Sequence, residues 1–405
     1  MLARKMKRDL TVEEQLARGP MDLPFLMLTL MLTGIGLIMM FSASYASALY
    51  DASVGYNPTY YIARQALFAV GGVAVLYLVS KINYQWFRVL SVLVLAGAIV
   101  ALLLVFTPLG FGKATVGAQR WVKIGPINFQ PSEIAKVGVI LFFAARLSKR
   151  DTEKKKKFDK RKLSGRILSF LDGIGFLELI PYGAILGVIA VLMLMEPHMS
   201  GTILILVAGA SILFAAGIKF CWFIIGGAGV AAALAFVITQ TDYMAYRIQI
   251  WLDPWSDPLN GGFQTIQSLY AVGSGGLLGL GLGKSRQKFL YLPEPENDYV
   301  FSIVCEELGY LGAAIVLILF ALLIIRGYWI AIHARDRFGA LMVVGITTQI
   351  AVQVFLNIAV ITNMIPVTGI SLPFFSYGGT ALLIQLAEMG VILSVSRQIP
   401  APKQG

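Results

Sequence analysis

Ten long apolar runs, separated by shorter polar segments, dominate the pattern of hydrophobic and polar positions along the chain. Most are close to the length of about 20 residues that an α-helix needs to cross the ~30 Å hydrocarbon core of a membrane. The pattern therefore predicts an all-α polytopic membrane protein with about ten transmembrane helices. The predicted spans cover residues 23–41, 64–80, 89–107, 132–147, 176–195, 202–218, 222–240, 299–325, 339–362 and 378–396.

The composition supports this class and adds an orientation. Of the 405 residues, 57% are hydrophobic and only 14% are charged, with a mean hydropathy of +0.76, whereas soluble proteins carry roughly 25% charged residues. When successive loops are assigned to alternate sides of the membrane, 24 Lys and Arg residues lie on the side that holds the N-terminus and 8 lie on the other side. Because cytoplasmic loops are the ones enriched in Lys and Arg, both termini are predicted to be cytoplasmic.

The loops divide the chain into one transmembrane domain and two short tails. The tails are residues 1–22 and 397–405, and the domain at 23–396 contains a basic cytoplasmic loop (146–175) and a large extracytoplasmic loop (241–298) between spans seven and eight. Loops as long as the second one are uncommon and usually functional. Its aromatic residues predict short helices at the membrane surface. The net charge of +11 indicates attraction to anionic lipid headgroups rather than to nucleic acid.

Familiar nucleotide and metal motifs are incomplete. In GLGLGKS (279–285), Leu278 stands where the Walker spacing requires a glycine. The nearby GSGGLL fails to complete G-x-G-x-x-G. The two histidines, His198 and His333, are predicted on opposite sides of the membrane, so no site can use both. Acid–base chemistry is therefore left to Asp, Glu, Lys, Arg or Tyr.

Two aspartates, Asp253 and Asp257, lie in the stretch WLDPWSDPLNGGFQ (251–264) of the outer loop. Each precedes a proline, and Asp-Pro commonly begins a turn. A carboxylate on an outer loop is also suited to act as a general base. The residues alone do not decide which aspartate is the general base, or whether either one does more than begin a turn.

Three stretches of the chain resemble motifs of one family. They are GAQRWVKIGPINFQPSEIAK (117–136), DPLNGGFQTIQSLYAVGSGGLLGLGLGKSRQKFLYLPEPENDYVFSIVCEELG (257–309) and NMIPVTGISLPFFSYGGTALL (363–383). In this order they resemble the shape, elongation, division and sporulation (SEDS) family, over about 22–398. The sequence GLGKSRQKFLYLPEP is more similar to the FtsW and SpoVE branch than to RodA.

The resemblance implies a polymerase of peptidoglycan glycan strands in the bacterial cytoplasmic membrane. It implies lipid II and the nascent strand as substrates, and as partners a class B penicillin-binding protein (a transpeptidase) and other division or elongation proteins. The family's D-P-x-x-x-G-[YF]-Q motif assigns the essential acid to Asp257, since the position of Asp253 is often Asn. Asn260 and Phe263 depart from the usual Gly and Tyr, and Asn260 is expected to tolerate a positive φ.

The implied reaction defines what the site must supply. The 4-hydroxyl of the acceptor sugar needs a general base to attack the anomeric carbon, and attack opposite the leaving group inverts that carbon. The leaving pyrophosphate needs charge neutralisation more than it needs a proton. A divalent cation, Mg²⁺ or Mn²⁺, is therefore expected to assist, and its protein ligands are not assigned.

Charged residues at the outer side supply further candidates. Glu133 and Lys136 are spaced i,i+3 in QPSEIAK and are predicted on one face of span four, either as a structural ion pair or as part of the substrate site. Outer cations are candidates for the pyrophosphate or for lipid headgroups. Those selected as substrate ligands are Arg120, Arg247 and Lys288, with Arg120 in the QRW motif preferred.

The segment PVTGISLPFFSYGG (366–379) has two prolines and three glycines. It is predicted to be a broken segment before span ten whose free backbone groups line a cavity. Ser376 within it is a candidate for hydrogen bonding to a sugar, although the glycines are also compatible with close helix packing alone.

Two other classes of function stay open on the sequence. A transporter that flips lipid II would also need many spans and charges within the membrane, and a structural scaffold would need only the spans. The polar residues concentrate on the outer side, and no inverted pair of broken helices occurs in matching halves. The polymerase is therefore favoured over the transporter.

Overall fold

The computed structural model of the protein describes residues 19–111, 119–124, 127–150, 175–196, 198–240 and 242–399. The predicted cytoplasmic tails before residue 19 and after 399, and residues 151–174 of the basic loop, lie outside the described residues. The described residues form twelve α-helices: α1 (Leu23–Tyr50), α2 (Tyr60–Lys81), α3 (Gln85–Leu104), α4 (Pro131–Leu147), α5 (Phe176–Met195), α6 (Met199–Ala215), α7 (Cys221–Gln240), α8 (Asp242–Leu252), α9 (Phe263–Ser274), α10 (Val300–His333), α11 (Arg337–Ile361) and α12 (Gly379–Ser396).

Ten of these helices coincide with the ten predicted spans, and the other two, α8 and α9, lie in the outer loop where short helices are predicted. Among the described residues, seven helices are long and apolar enough to cross a membrane: α1, α2, α3, α5, α10, α11 and α12. Helices α4 and α6 have 17 residues each, which is about 25 Å at 1.5 Å per residue. The all-α membrane class is confirmed, and crossing by α4, α6 and α7 stays a prediction.

Two helices extend beyond their predicted ends. Helix α1 continues to Tyr50 because the small residues after position 41 are compatible with a helix, and it ends at Asp51, whose backbone is extended. Helix α10 continues past Arg326 to His333. The charge of Arg326 does not end the helix, since it pairs with Asp22 at 2.7 Å.

A small antiparallel sheet, absent from the prediction, lies in the outer segment before α4. Its strands are β1 (Gly110–Phe111), β2 (Trp121–Ile124) and β3 (Ile127–Phe129), in the order β1-β2-β3. Val122 of β2 is buried and Lys123 is exposed, as expected where successive side chains point to opposite faces. Strands this short give too little alternation to be recognised from sequence.

The buried apolar side chains form one continuous cluster that runs through the helices from α1 to α12. Helix α12 packs against α2, α4 against α3, and α11 against both α10 and α6. At the first of these contacts a Cβ on Gly390 would lie 2.6 Å from the carbonyl oxygen of Leu76. Glycine therefore allows α2 and α12 to approach backbone to backbone.

The predicted break before the last helix is confirmed, since residues 363–378 contain no helix. Side-chain amides of the surrounding helices bind its backbone. Asn357 and Gln353 of α11 donate to carbonyl oxygens of the segment at 2.6 and 2.9 Å, and Gln65 and Gln385 bind its other end. Non-helical backbone at membrane depth needs such partners, so the amides hold this segment in place.

Helix α10 is interrupted at Gly309, which has a φ of +68°. The interruption leaves backbone groups on both sides of the glycine without helical partners. Main-chain groups of residues 306–311 pair with those of residues 276–281 through four hydrogen bonds of 2.8 to 3.1 Å. The end of the outer loop is therefore joined to α10 by its main chain.

Candidate active site

Asp257 lies on the outer loop directly after a single 3₁₀ turn, Pro254–Ser256. Asp253 begins that turn, and its Oδ1 accepts a hydrogen bond from the Trp255 N–H at 3.1 Å. The Gly262 N–H donates to the Asp257 carbonyl at 2.9 Å and closes the loop before α9. Asp253 is therefore used by the turn itself, whereas the Asp257 carboxylate is left for other contacts.

Both oxygens of the half-exposed Asp257 carboxylate accept hydrogen bonds from neutral donors. The Tyr246 hydroxyl donates to Oδ2, and the Asn260 amide donates to Oδ1 at 3.0 Å. These bonds, that from Tyr246 first, hold the pKa of Asp257 below its ordinary value, so the group is ionised at neutral pH. Asn260 does not adopt the expected positive φ and instead contacts the acid directly.

A cavity of about 220 Å³ lies between α8, α9 and the start of the broken segment, and Tyr246, which donates to the Asp257 carboxylate, is one of the residues that line it. Its polar lining is contributed by Tyr246, Arg247, Gln264, Thr265 and Asn363. Pockets for whole drug-sized ligands are about 300 to 1,000 Å³. This cavity is therefore of a size for part of a ligand, and its hydroxyl, amide and guanidinium groups are suited to hydrogen bonding with a sugar.

Helix α8 is fixed to the broken segment at two points. Arg247 Nη1 donates to the Val367 carbonyl at 3.0 Å. The indole N–H of Trp251 donates to the Asn363 carbonyl and the Asn363 amide donates to the Trp251 carbonyl, both at 3.1 Å. Asn363 can make this reciprocal contact because its backbone has a φ of +55°, which Asn tolerates better than most residues. The structure thus places Arg247 in the lining of the cavity, and its predicted contact with substrate stays a prediction.

Glu133 and Lys136 form the predicted pair on the first turns of α4, with 2.8 Å between Lys136 Nζ and Glu133 Oε2. Both side chains are buried. Lys136 also interacts electrostatically with the buried carboxylate of Glu388 on α12. In the described part of the chain, no hydrogen bond or ion pair joins this pair to Asp257. The pair therefore forms a second charged centre, separate from the aspartate.

Arg120 lies near this second centre, just before β2. Its charge acts on the carboxyl groups of Glu196 and Asp298 and on the ring of His198. Glu196 is 2% exposed, and neither of its oxygens has a hydrogen-bond partner among the residues that the structure describes. Burial raises the pKa of Glu196 to about 8, opposed by the Arg120 charge. Arg120 is thus surrounded by groups of the outer face, as a residue of a polar site would be.

Lys288 lies in a different environment from the one predicted. Its side chain is 3% exposed, and its Nζ donates to Glu307 at 2.9 Å, to Ser42 at 3.0 Å and to the Gly283 carbonyl at 2.8 Å. An ammonium group has three donors, so all are engaged inside the protein. This geometry disfavours the predicted contact between Lys288 and a substrate pyrophosphate, because the charge is already neutralised by Glu307.

Ser376 is also directed inward. Its hydroxyl oxygen accepts a hydrogen bond from the Leu372 N–H at 2.7 Å, and its carbonyl accepts from Gln65 at 3.2 Å. The side chain is 8% exposed. These contacts fix the turn of the broken segment, and the predicted contact with a sugar stays a prediction that the burial of Ser376 does not favour.

Two residues of the site are not predicted by the sequence. Tyr246 precedes Asp257 by eleven positions. This spacing matches no local pattern, because the contact depends on how α8 packs against the turn. Glu196 is an acid at the end of a long apolar run, directly before a proline. A charge at the end of a span is expensive to bury, and that signal could have found Glu196.

Comparison with known proteins agrees with these motifs. The family model of the cell cycle proteins FtsW, RodA and SpoVE matches residues 23–400. Stage V sporulation protein E of Bacillus subtilis is 40% identical over 380 residues, which is 93% of this chain and 97% of that protein. A protein named probable peptidoglycan glycosyltransferase FtsW, from Geobacter sulfurreducens, is 36% identical over 378 residues, covering 93% and 95% of the two chains.

Solved structures share the fold. A chain of a peptidoglycan synthase complex has a TM-score of 0.71 at 24% identity, with 93% of this chain and 98% of that chain covered. The crystal structure of the rod shape determining protein RodA of Thermus thermophilus has a TM-score of 0.65 at 22% identity, with 94% and 98% covered. The arrangement of helices described above is therefore found in both.

Proposed function

Because this chain belongs to the FtsW, RodA and SpoVE family of cell cycle proteins, we propose that it is a peptidoglycan glycosyltransferase of the bacterial cytoplasmic membrane. It polymerises lipid II into glycan strands on the outer face, and Asp257 is the general base. The observation that carries this proposal is an ionised carboxylate on the outer loop that is hydrogen-bonded to Tyr246, a residue lining a polar cavity.

The reaction is a single displacement. Asp257 accepts the proton of the acceptor 4-hydroxyl while the oxygen of that hydroxyl forms a bond to the anomeric carbon of the donor. The bond from that carbon to the pyrophosphate breaks, and the leaving group takes the electron pair. Attack and departure on opposite faces invert the carbon. A positioned base of this kind typically contributes about 10² to 10⁴ in rate.

The low basicity of Asp257 in the free protein fits this role once substrate binds. General bases work best with a pKa near the operating pH, and the hydrogen bonds to Asp257 lower its pKa instead. A sugar in the cavity excludes water from the carboxylate, and desolvation raises the pKa of a carboxyl group. The base therefore becomes stronger when the acceptor hydroxyl is beside it.

Cations at the cavity and at the second centre complete the proposal. Arg120, Arg247 and the Glu133–Lys136 pair lie on the outer side and contribute to binding of the anionic substrate. Arg247 lines the cavity, and Arg120 acts on several outer acids. Charge neutralisation of this kind stabilises a departing pyrophosphate without a proton transfer.

We also propose that Mg²⁺ or Mn²⁺ raises activity. The described residues contain no group of three or more His, Cys, Asp or Glu side chains placed to hold a metal ion. These residues therefore form no metal site built from protein ligands alone. Mg²⁺ typically uses one or two carboxylates together with substrate phosphates, which suits a pyrophosphate substrate. Activity should fall in EDTA and recover on adding Mg²⁺, and full activity in excess EDTA contradicts the proposal.

The partner that suits this activity is a class B penicillin-binding protein, which crosslinks the strands, with other division or elongation proteins around it. The similar fold in a peptidoglycan synthase complex supports this proposal. Co-purification of the two full-length proteins in detergent, compared with an unrelated single-span membrane protein, tests it.

The activity itself is tested with purified protein and lipid II in detergent, with and without the transpeptidase. We expect glycan polymer that lengthens with time, and none with Asp257→Asn. A transporter of lipid II needs a sealed bilayer to show its activity, whereas a polymerase does not. No polymer in detergent under any partner condition, together with movement of lipid II across vesicles, supports the transporter instead.

A further inference from the structure

We infer that Tyr246 is a positioning residue that fixes the Asp257 carboxylate next to the cavity that Tyr246 lines. This inference rests on the proposed function, because it concerns the base of that reaction. Tyr246 lies on α8, outside the turn that carries Asp257, and its hydroxyl donates directly to Asp257 Oδ2.

The two residues differ in how firmly they are held. Asp257 lies on a loop between two short helical elements. Tyr246 lies on a helix whose next residue, Arg247, donates to the Val367 carbonyl, and whose Trp251 exchanges two hydrogen bonds with Asn363. The hydroxyl therefore joins the turn that carries Asp257 to a helix that is hydrogen-bonded to the broken segment.

The contact leaves the carboxylate able to react. Each carboxylate oxygen has two acceptor sites, and the bonds from Tyr246 and Asn260 occupy one on each oxygen. The acceptor hydroxyl can therefore bind Asp257 without displacing Tyr246. Its proton goes to a remaining lone pair of the carboxylate, while the tyrosine keeps its own proton.

The neighbouring charged groups do not duplicate this effect. On α8, Arg247 is directed to the Val367 carbonyl. On the turn, Asp253 accepts from the Trp255 N–H. The bond from Tyr246 is the largest influence that lowers the pKa of Asp257, and Asn260 is the second. Loss of the tyrosine hydroxyl therefore raises that pKa.

Gly261 offers a way to break the contact without removing the hydroxyl. A Cβ at Gly261 would overlap the Tyr246 hydroxyl oxygen. The backbone of Gly261 is not in the left-handed region, so alanine is tolerated there. Gly261→Ala therefore displaces the hydroxyl from Asp257, whereas a Cβ on the adjacent Gly262 would overlap the Pro254 carbonyl and disturb the turn.

The experiment measures kcat and KM for lipid II polymerisation between pH 3.5 and pH 9 for the full-length protein with its transpeptidase. The variants are Tyr246→Phe, Gly261→Ala, the two combined, and the control Tyr270→Phe on α9. Because misplacement of a catalytic group lowers the rate steeply, we expect about a tenfold loss of kcat in each single variant, with KM nearly unchanged.

The pH profile gives a readout that packing alone does not move. A protonated Asp257 cannot act as a base, so activity is lost as pH falls through its pKa. Since Tyr246→Phe and Gly261→Ala raise that pKa, the acidic limb of the profile moves to higher pH in both. The combined variant should match the single ones, because coupled residues are not additive. The control should keep the profile of the wild type.

Unchanged kcat and unchanged acidic limbs in both variants overturn the inference, and so does an effect of Tyr246→Phe that Gly261→Ala fails to reproduce. Membrane levels of all variants are compared to exclude misfolding. A failure of the proposed function has a different signature, namely a wild-type protein without polymerase activity or an Asp257→Asn variant as active as the wild type.

Discussion

Two acidic sites, one on the outer loop and one at the start of α10, differ in burial and in the groups that bind them. Asp257 is half-exposed and accepts bonds from a tyrosine and an amide. Glu306 and Glu307, at the start of α10, are fully buried. They accept bonds from main-chain N–H groups of residues 283–287, and Glu307 also pairs with Lys288.

The difference shows what an acid is used for. A buried carboxylate with a cation and several N–H donors has no free site for a substrate, and removing one partner leaves an uncompensated charge. A half-exposed carboxylate beside a cavity can accept a proton. This difference supports the proposal that Asp257 is the reactive acid, whereas Glu306 and Glu307 join the loop to α10.

The sharpest test of this difference is Asp257→Asn. The amide keeps the shape of the carboxylate but cannot accept the acceptor proton, so polymerisation of lipid II should fall by about 10² to 10⁴. The amount of folded protein in the membrane should stay at the wild-type level. Activity near that of the wild type in purified Asp257→Asn removes the assignment of the general base.

Lys288→Met should lower the stability of the protein, whereas Asp257→Asn should lower activity without lowering stability. It leaves Glu307 buried without its cation, and breaking a buried pair costs about 3 to 5 kcal/mol. We expect a lower thermal midpoint in detergent and less protein in membranes. The combined variant Lys288→Met with Glu307→Gln should recover part of the loss. A stable Lys288→Met with a raised KM for lipid II instead supports the predicted contact with substrate.

Exchange of the charges on α4, Glu133→Lys with Lys136→Glu, tests the second centre. The exchange places a carboxylate where Lys136 now faces Glu388 and removes a cation from the proposed substrate site. We expect activity at about a tenth of wild type or less, because like charges in a buried site are strongly unfavourable. Polymerisation is measured for both single variants and the double one. Recovery to a third of wild type shows that the pair is structural.

The smallest effect is expected for Asp253→Asn. Asn also caps turns through its side-chain oxygen, so the bond to the Trp255 N–H is kept. Polymerase activity should change by less than about twofold, and the free energy of unfolding by less than about 0.5 kcal/mol, within the range of surface substitutions. A loss comparable to that of Asp257→Asn contradicts the division of roles between the two aspartates.

The sequence predicts the parts of the fold that depend on one local pattern. The ten apolar runs, the break at 363–378 and the Glu133–Lys136 pair all follow from spacing along a single segment, and the structure confirms them. The role of Lys288 does not follow, because its environment is created by Glu307 and by Ser42 of α1. Nothing near position 288 indicates that these groups enclose it.

The candidate site shows the same division. Asp257 is found through a motif that lies within eight residues, whereas Tyr246 reaches it only because α8 is anchored to the broken segment. The cavity between α8, α9 and that segment likewise depends on three parts of the chain. Contacts of this kind depend on tertiary packing, which hydropathy and spacing do not record.

The main-chain pairing at Gly309 has a consequence for which substitutions the protein can accept. Backbone groups connect residues 276–281 to α10, so the exposed side chains of this stretch, Leu277 and Leu278, are free to vary in size and polarity. The exceptions are Gly279 and Gly309, where a Cβ would overlap the opposite backbone and where φ is positive. Substitutions should therefore be accepted at Leu277 and Leu278 and rejected at Gly279 and Gly309.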